Sequence, residues 1–211
     1  MHRPTETGTL AVCPKPGRDG PIAPSSPMSR VRVYLGCSLD GCIAGPNHDI
    51  TFLNEFTPDP DAPPGEGLGF AEFLDQVGVL LMGRRTYQVV LDYNAWPYGD
   101  RTVLVATHHP LPPAPGGGDA RRVDGPIAEL VAQARALAGD RDVYLDGGDL
   151  VRQALDTGLV DELTLTMLPL VLGDGIRLWD GLRNRTDLRF APPVPHDGGM
   201  IQVTATVVRP E

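Results

Sequence analysis

The chain contains 211 residues, of which 41% are hydrophobic, and it carries a formal net charge of -9 at pH 7. This length suits one domain with a substantial core. The negative charge argues against nucleic acid or an anionic membrane surface as the main partner, although a local positive site could still bind an anionic cofactor. No apolar run approaches the roughly 20 residues needed to cross a bilayer.

The three cysteines are Cys13, Cys37 and Cys42. Their odd number and the lack of Cys-x-x-Cys spacing favour neither a disulfide framework nor a zinc site. Cys37 and Cys42 lie near a predicted strand, and we interpret them as small core residues rather than reactive thiols. Together these features predict a reduced, cytoplasmic protein without a metal site.

The first 29 residues contain six prolines among small and polar residues. They show no hydrophobic period and no apolar signal-peptide core. We therefore predict a disordered leader over residues 1–29 and a single domain over residues 30–211.

The amino-terminal half of the domain begins with a strand at Val31–Leu35, where polar and apolar residues alternate before a turn at Asp40 and Gly41. Phe52, Leu53 and Phe56 indicate one helical turn. The segment Thr57–Gly69 is rich in proline and glycine and predicts a flexible loop that could lie over a site. Apolar residues at helical spacing then predict a helix over Phe70–Val77.

A first strand–glycine–helix junction follows. The continuous apolar run Val79–Met82 predicts a strand buried on both faces, and Gly83 leads into a helix that opens with Arg84 and Arg85. Positive charge at a helix amino terminus is unfavourable, and a bound phosphate would reverse that effect. The junction therefore points to an anionic ligand, with solvated surface arginines as the alternative.

The middle of the chain predicts a strand, a connection and a helix. Arg101–Ala106 has the pattern of a strand, and Leu111–Asp124 that of an irregular connection rich in proline and glycine. Pro126–Ala138 is predicted to be an amphipathic helix that Gly139 ends. Its apolar face comprises Ile127, Leu130, Val131, Ala134 and Leu137.

A second strand–glycine–helix junction lies at residues 142–159. Val143–Leu145 predicts a short buried strand, Gly147 and Gly148 form a turn, and a helix follows as far as Gly158. Two glycines at this place allow a ligand to approach the backbone closely and leave the first helical N–H groups free to bind an anion such as a pyrophosphate. The alternative is an ordinary turn without a ligand, in which Asp149 is the helix N-cap.

Strands dominate after Gly158. Glu162–Leu168 predicts a strand, Pro169–Asp180 a glycine-containing loop, and Met200–Val208 a last strand that pairs with Leu188–Phe190. Alternating strands and helices followed by strands alone predict an α/β fold with a mostly parallel sheet and an antiparallel carboxy-terminal section.

Four motifs in this order resemble the dihydrofolate reductase-like superfamily, in particular the group of the riboflavin-biosynthesis reductase carboxy-terminal domain. They are SLDGCIAG (Ser38–Gly45), LMGRRTY (Leu81–Tyr87), YLDGGDLVRQAL (Tyr144–Leu155) and LPLVLGDGIRLW (Leu168–Trp179). The resemblance extends over about Val31–Val208. It implies a three-layer α/β/α domain that binds NADPH at the carboxyl edge of the sheet and is commonly a homodimer.

The resemblance also implies roles for particular residues. Gly83, Arg84 and Thr86 would hold the cofactor phosphates, with Arg84 nearest the adenosine 2′-phosphate, and Thr107 and His108 would border the adenosine. The pyrophosphate would lie on Gly147, Gly148, Asp149, Leu150 and Val151, and the nicotinamide would be flanked by Leu39, Asp40, Ile43 and Ala44. An arginine beside the ribose is a known means of selecting the extra phosphate of NADPH.

The leading hypothesis is a stand-alone NADPH-dependent reductase that transfers hydride to a C=N or C=O carbon of a small heterocyclic substrate. Asp40 is the first candidate for a proton-handling or orienting role, with a turn-forming aspartate as the alternative, and Asp49 is a weaker candidate. The H-x-E and P-C-x-x-C zinc deaminase signature is absent from the sequence, which excludes a bifunctional riboflavin enzyme. A nucleotide-binding protein without turnover and a flavin binder remain as alternative functions.

Overall fold

The computed structural model describes residues 29–56 and 68–209. The predicted leader therefore lies outside the described residues except for Ser29, which is buried, and so does most of the predicted loop Thr57–Gly69. Within the described part, no helix is long and apolar enough to span a bilayer.

The described residues contain eleven strands and five α-helices. The strands are β1 (Val31–Ser38), β2 (Cys42–Ala44), β3 (Val77–Gly83), β4 (Thr102–Ala106), β5 (Ala120–Val123), β6 (Asp142–Asp146), β7 (Glu162–Leu168), β8 (Ile176–Arg177), β9 (Asp187–Phe190), β10 (Val194–Pro195) and β11 (Ile201–Val208). The helices are α1 (Thr51–Asn54), α2 (Phe70–Leu74), α3 (Arg84–Asp92), α4 (Ile127–Ala138) and α5 (Gly148–Asp156).

Nine strands form one sheet in the order β10-β11-β7-β1-β6-β3-β4-β5, with β9 paired to β11. The pairs from β7 through β1, β6, β3 and β4 to β5 are parallel, whereas β11 is antiparallel to β7, β9 and β10. The predicted α/β class and the antiparallel carboxy-terminal section are confirmed, including the pairing of the last strand with the segment around Leu188.

Alternate residues of the central strands face two separate hydrophobic cores, which makes three layers. Leu81, Val143 and Leu145 pack with helices α4 and α5 on one side of the sheet. Met82 and Tyr144 pack with helices α2 and α3 on the other side. Because β3 and β6 have neighbours in the sheet on both sides and helices on both faces, their apolar runs are fully buried, as the sequence predicted.

Four local expectations were wrong. Strand β5 lies within the segment predicted to be an irregular connection; its Arg121 and Arg122 are exposed, so it lacks an apolar pattern. Strand β8 likewise lies within the predicted loop Pro169–Asp180 and pairs with β2. Helix α2 ends at Leu74, and Val77 instead begins β3. Leu137 belongs to α4, but its side chain is 47% exposed rather than part of the buried face.

Candidate functional site

The two strand–glycine–helix junctions lie side by side at the carboxyl edge of the sheet. Strands β3 and β6 are parallel neighbours, and Met82 pairs with Asp146, so both chains leave the sheet at the same level. A Cβ atom built on Gly147 would lie 2.7 Å from Thr86 Oγ1 and 3.6 Å from the Gly83 nitrogen. The beginnings of α3 and α5 are therefore in direct contact, which the sequence could not establish.

A cavity of about 860 Å3 opens over this pair of helix beginnings. Nine of the residues predicted to bind the cofactor line it: Ile43, Ala44, Gly83, Arg84, Thr86, Gly147, Gly148, Asp149 and Leu150. The lining also contains residues that were not predicted, among them His48, Arg85, Tyr98, Asp146 and Arg152. His48 and Tyr98 are distant in sequence from the two junctions and reach the cavity through long-range packing, whereas Arg85, Asp146 and Arg152 belong to the junction motifs.

The three glycines at these junctions differ in whether a larger side chain could take their place. Gly147 has φ of 95°, a conformation that side chains rarely adopt. A Cβ on Gly148 would meet the Ile43 Cδ1 atom at 2.7 Å and the Arg152 guanidinium at 3.0 Å, so the ends of these two side chains would have to shift to admit a larger residue. Gly83 is different because its φ of -77° suits any residue and the space beside it is open.

Three arginines give the cavity a positive rim. Arg84 and Arg85 are the first two residues of α3, and Arg152 lies one turn into α5. Arg84 donates to the Pro110 carbonyl oxygen over 3.3 Å, and Arg85 contacts the His48 ring. Neither Arg84 nor Arg85 forms a salt bridge among the described residues. Their uncompensated charge next to two helix amino termini favours an anion.

His48 approaches Arg85 because of an unusual turn before α1. Asn47 and His48 have φ of 57° and 66°, in the left-handed region. Burial, and then the positive charge of Arg85, hold the pKa of His48 below its ordinary value. The neutral imidazole can therefore contact the guanidinium without charge repulsion, and the pair narrows the mouth of the cavity.

Asp146 is the carboxyl group in the wall of the cavity that the sequence analysis did not select. It ends β6, its Oδ1 accepts the Gly147 N–H over 2.6 Å, and its Oδ2 lies 3.1 Å from the Tyr144 hydroxyl. Removal from water raises the pKa of Asp146 to about 6, against the lowering effect of these hydrogen bonds. This carboxyl group can therefore change its protonation state near neutral pH. A carboxylate directly before the double glycine was the available signal.

Asp40 has a structural task and does not line the cavity. Its carboxylate accepts hydrogen bonds from Ser38 Oγ (2.7 Å) and from the N–H groups of Leu172 and Gly173 (3.0 Å each), and it pairs with Arg177 at 3.2 Å. The Ser38 bond, followed by the two backbone bonds, holds the pKa of Asp40 well below its ordinary value. A group that stays ionised in this way is poorly suited to donating a proton.

The remaining predicted residues are not part of the cavity wall. Asp49 is exposed and accepts bonds from the Thr51 N–H and hydroxyl groups at the start of α1. Thr107 and His108 follow β4 at the same edge, where His108 pairs with Asp124. Leu39 is 67% exposed on a different surface, and Val151 is fully buried in the core. Asp149 does line the cavity but is not the N-cap, because α5 begins at Gly148, two residues earlier than that expectation required, and Gly147 is the N-cap.

A parallel sheet with two helix layers, antiparallel carboxy-terminal strands and a cavity at the carboxyl edge define a dihydrofolate reductase-like α/β domain. The dihydrofolate reductase of Enterococcus faecalis, complexed with NADP(H), shares this fold with a TM-score of 0.54 at 16% identity, covering 86% of this chain and 98% of that one. A Shewanella sp. PV-4 protein named for riboflavin biosynthesis is more similar, with a TM-score of 0.75 and 27% identity over 85% of this chain and 99% of that one.

Sequence comparison gives the family. The sequence model of the protein family named RibD C-terminal domain matches residues 122–196. The uncharacterized protein YwjB of Bacillus subtilis is 32% identical over 167 residues, which cover 75% of this chain and 87% of YwjB. The chain therefore belongs to the RibD C-terminal domain family and has a dihydrofolate reductase-like fold, so the predicted family is confirmed.

Proposed function

We propose that the protein is an NADPH-dependent reductase that acts on a C=N or C=O bond of a small heterocyclic molecule. The observation that carries this proposal is the contact between the beginnings of α3 and α5 under a cavity with an arginine rim. A reductase-like role agrees with the membership of the RibD C-terminal domain family.

The residues present fit a phosphorylated dinucleotide. The first N–H groups of α5 have no partner within their helix and face the same cavity as those of α3. Gly83 leaves open space next to the backbone, as a close-lying pyrophosphate requires. Arg84 and Arg85 supply positive charge without an acidic partner among the described residues, and Arg84 is the residue that we assign to the 2′-phosphate.

The remaining tasks fall to the chain itself, because a bound reduced nicotinamide supplies the hydride. Ile43, Ala44 and Ile176 form an apolar part of the cavity wall. Burial raises the pKa of the cavity carboxyl Asp146 to about 6, and we assign it the proton-exchanging role that the sequence suggested for Asp40.

The test of cofactor binding compares NADPH with NADH. Arg84→Ala is expected to weaken NADPH by roughly 1.5–3 kcal/mol through loss of a charge-assisted contact, and to affect NADH much less. Isothermal titration calorimetry on both cofactors measures this difference. Arg121→Ala is the matched control, since Arg121 is an exposed arginine paired with Asp119 far from the cavity rim. An equal loss for both cofactors would remove Arg84 from the 2′-phosphate.

Turnover is tested separately from binding. A panel of imines, pterins, pyrimidines and aldehydes is mixed with enzyme and NADPH, and oxidation is followed at 340 nm. Consumption of NADPH with one class supports the reductase. Tight NADPH binding without oxidation by any class would favour the nucleotide-binding alternative, and absorbance of the purified protein near 450 nm would reveal a flavin instead.

We also propose that the protein is a homodimer. Strands β7, β9 and β11 leave an uncovered groove of about 550 Å3 whose lining has no charged residue, and Leu39, Trp179, Phe190 and Ile201 are exposed along it. An exposed apolar patch of this kind is typical of a protein–protein interface, and the absence of charge allows the same patch of a second copy to pack against it without repulsion. Phe190→Asp is expected to give monomers by light scattering, whereas Leu137→Asp, at an exposed residue of α4 that does not line the groove, is not; a wild-type monomer would refute the proposal.

A further inference from the structure

Tyr98 differs from the other tyrosines on its side of the sheet. The hydroxyl groups of Tyr34, Tyr87 and Tyr144 each donate to a backbone carbonyl oxygen, over 2.8, 2.8 and 2.9 Å respectively. The side chain of Tyr98 is only 5% exposed, yet its hydroxyl has no hydrogen-bond partner in the described parts of the chain. The hydroxyl oxygen is not among the fully buried unpaired atoms of the described residues, so it keeps accessible surface and is open to the cavity that Tyr98 lines.

The position of Tyr98 explains where such a partner would come from. Tyr98 lines the cavity together with Tyr144 and Asp146, and Trp96 holds its ring edge-on at a centroid distance of 5.2 Å and an angle of 86°. The ring is thus fixed by packing, while the hydroxyl belongs to the cavity wall. A ligand in the cavity is the partner that this geometry provides for.

The hydroxyl would act as a donor. Burial, and then the negative charge of Asp146, raise the pKa of Tyr98 well above its ordinary value, so the proton stays on the oxygen at physiological pH. The ligand atom opposite must therefore accept a hydrogen bond. An anionic group is disfavoured here because Asp146 itself carries negative charge when ionised, and the neighbouring lining residues Val89 and Val90 are apolar.

We propose that Tyr98 determines specificity at the substrate end of the cavity, where its hydroxyl donates a hydrogen bond to a ring nitrogen or carbonyl oxygen of a neutral heterocycle. This inference rests on the proposed reductase function and names the chemical class of its substrate. In this proposal the cavity has two parts. Tyr98 and Asp146 belong to the part that binds the substrate, and the arginine rim binds the anionic groups of the cofactor.

The experiment compares two probes of the same shape, quinoxaline, which has two ring nitrogens, and naphthalene, which has none. Binding to the full-length protein is measured by ligand-observed NMR titration in the presence of saturating NADPH. Tyr98→Phe is expected to weaken quinoxaline about tenfold, the loss of one buried hydrogen bond, and to leave naphthalene within about twofold. The ring and its contact with Trp96 are retained in this variant, so the fold is preserved.

Tyr87→Phe is the matched control. Tyr87 is equally buried and its hydroxyl bonds to the Pro112 carbonyl oxygen rather than to the cavity, so this variant is expected to lower the melting temperature without changing the quinoxaline-to-naphthalene ratio. An unchanged ratio in Tyr98→Phe, or failure of quinoxaline to bind the NADPH-loaded wild type, would overturn the inference. Absence of NADPH binding would instead refute the proposed function, and calorimetry on NADPH alone separates the two results.

Discussion

At the scale of single residues, two neighbouring glycines have opposite constraints. Gly83 has an ordinary φ and open space where a side chain would lie, whereas Gly147 has φ of 95° and Thr86 Oγ1 at 2.7 Å from that position. Gly83→Val is therefore expected to leave the free energy of unfolding within about 0.5 kcal/mol while obstructing the cofactor. Gly147→Ala is expected to cost about 1–2 kcal/mol in stability.

Urea unfolding together with calorimetric titration of NADPH tests this contrast. The two variants are controls for each other, because one changes the cavity without strain and the other adds strain at the same junction. Gly83→Val protein that is folded and still binds NADPH with wild-type affinity would show that no ligand lies against this backbone.

The pH dependence of stability reports on Asp146. Its pKa is about 6 in the folded protein and about 4 in an unfolded chain, so the folded state binds more protons between these values. Stability contributed by this residue is therefore fully present below about pH 4 and is lost as the pH rises to about 6. Relative to Asp146→Asn, the wild type is expected to lose on the order of 2 kcal/mol between pH 4 and pH 7.

Urea unfolding curves of the two proteins across this pH range measure the difference. Asp40 does not interfere with this measurement. Its pKa is lowered in the folded protein, so the stability that its carboxylate contributes is lost only at pH values below the ordinary carboxyl range. A difference between wild type and Asp146→Asn that is constant with pH would mean that the folded Asp146 carboxyl has an ordinary pKa.

At the scale of elements, Asp40 holds the loop after β7 against the end of β1. Its carboxylate receives the Leu172 and Gly173 N–H groups and pairs with Arg177 of β8, and β8 pairs with β2, which carries Ile43 to the cavity. Asp40→Ala is expected to increase amide exchange in residues 169–178 and 41–45, measured by mass spectrometry. Asp49→Ala is the control, since Asp49 bonds only to neighbouring Thr51 through its side chain; unchanged exchange in Asp40→Ala would contradict this role.

The elements also show what could be predicted from the sequence and what could not. Strand β7 and the junctions at Gly83 and Gly147 were predictable because their signals are local: an apolar run, a glycine and a helical period. Strand β5 exists because it pairs with β4 at the sheet edge, and two-residue β8 exists because it pairs with β2. Those partners are distant in sequence, so no local pattern marks either strand.

The residues of the candidate site also fall into those that the sequence could predict and those that it could not. Gly83, Arg84 and Gly147 were selected from motifs, and the fold places them at one cavity. Tyr98 and His48 enter the cavity wall through tertiary packing, and the sequence around each shows no distinguishing pattern. Asp40 was selected from the SLDGCIAG motif, which the family resemblance placed beside the nicotinamide, but an aspartate before a glycine is also typical of a turn, and only the partners of its carboxylate distinguish the two.

At the scale of the whole molecule, stability and binding are concentrated at opposite edges of the sheet. At the edge where β1 begins, buried Arg32 donates to Glu162 (2.6 Å), Gln76 (2.7 Å) and Asp142 (3.3 Å). These groups join β1, β6 and β7 with the end of α2, while the cavity lies at the carboxyl ends of the same parallel strands. Loss of the arginine would leave two partly buried carboxylates short of a partner, which is costly in a low dielectric.

Arg32→Met is therefore expected to lower the free energy of unfolding by about 3 kcal/mol. This value is at the low end of the range for a broken buried ion pair, because Arg30 still contacts both carboxylates. NADPH affinity of the folded variant is expected to equal that of the wild type, since the change lies at the far edge. Arg121→Met, which removes an exposed pair with Asp119, is expected to cost less than about 1 kcal/mol. Urea unfolding and NADPH titration of the three proteins measure both quantities, and a matching loss of affinity in Arg32→Met would show that the two edges are coupled through the parallel strands.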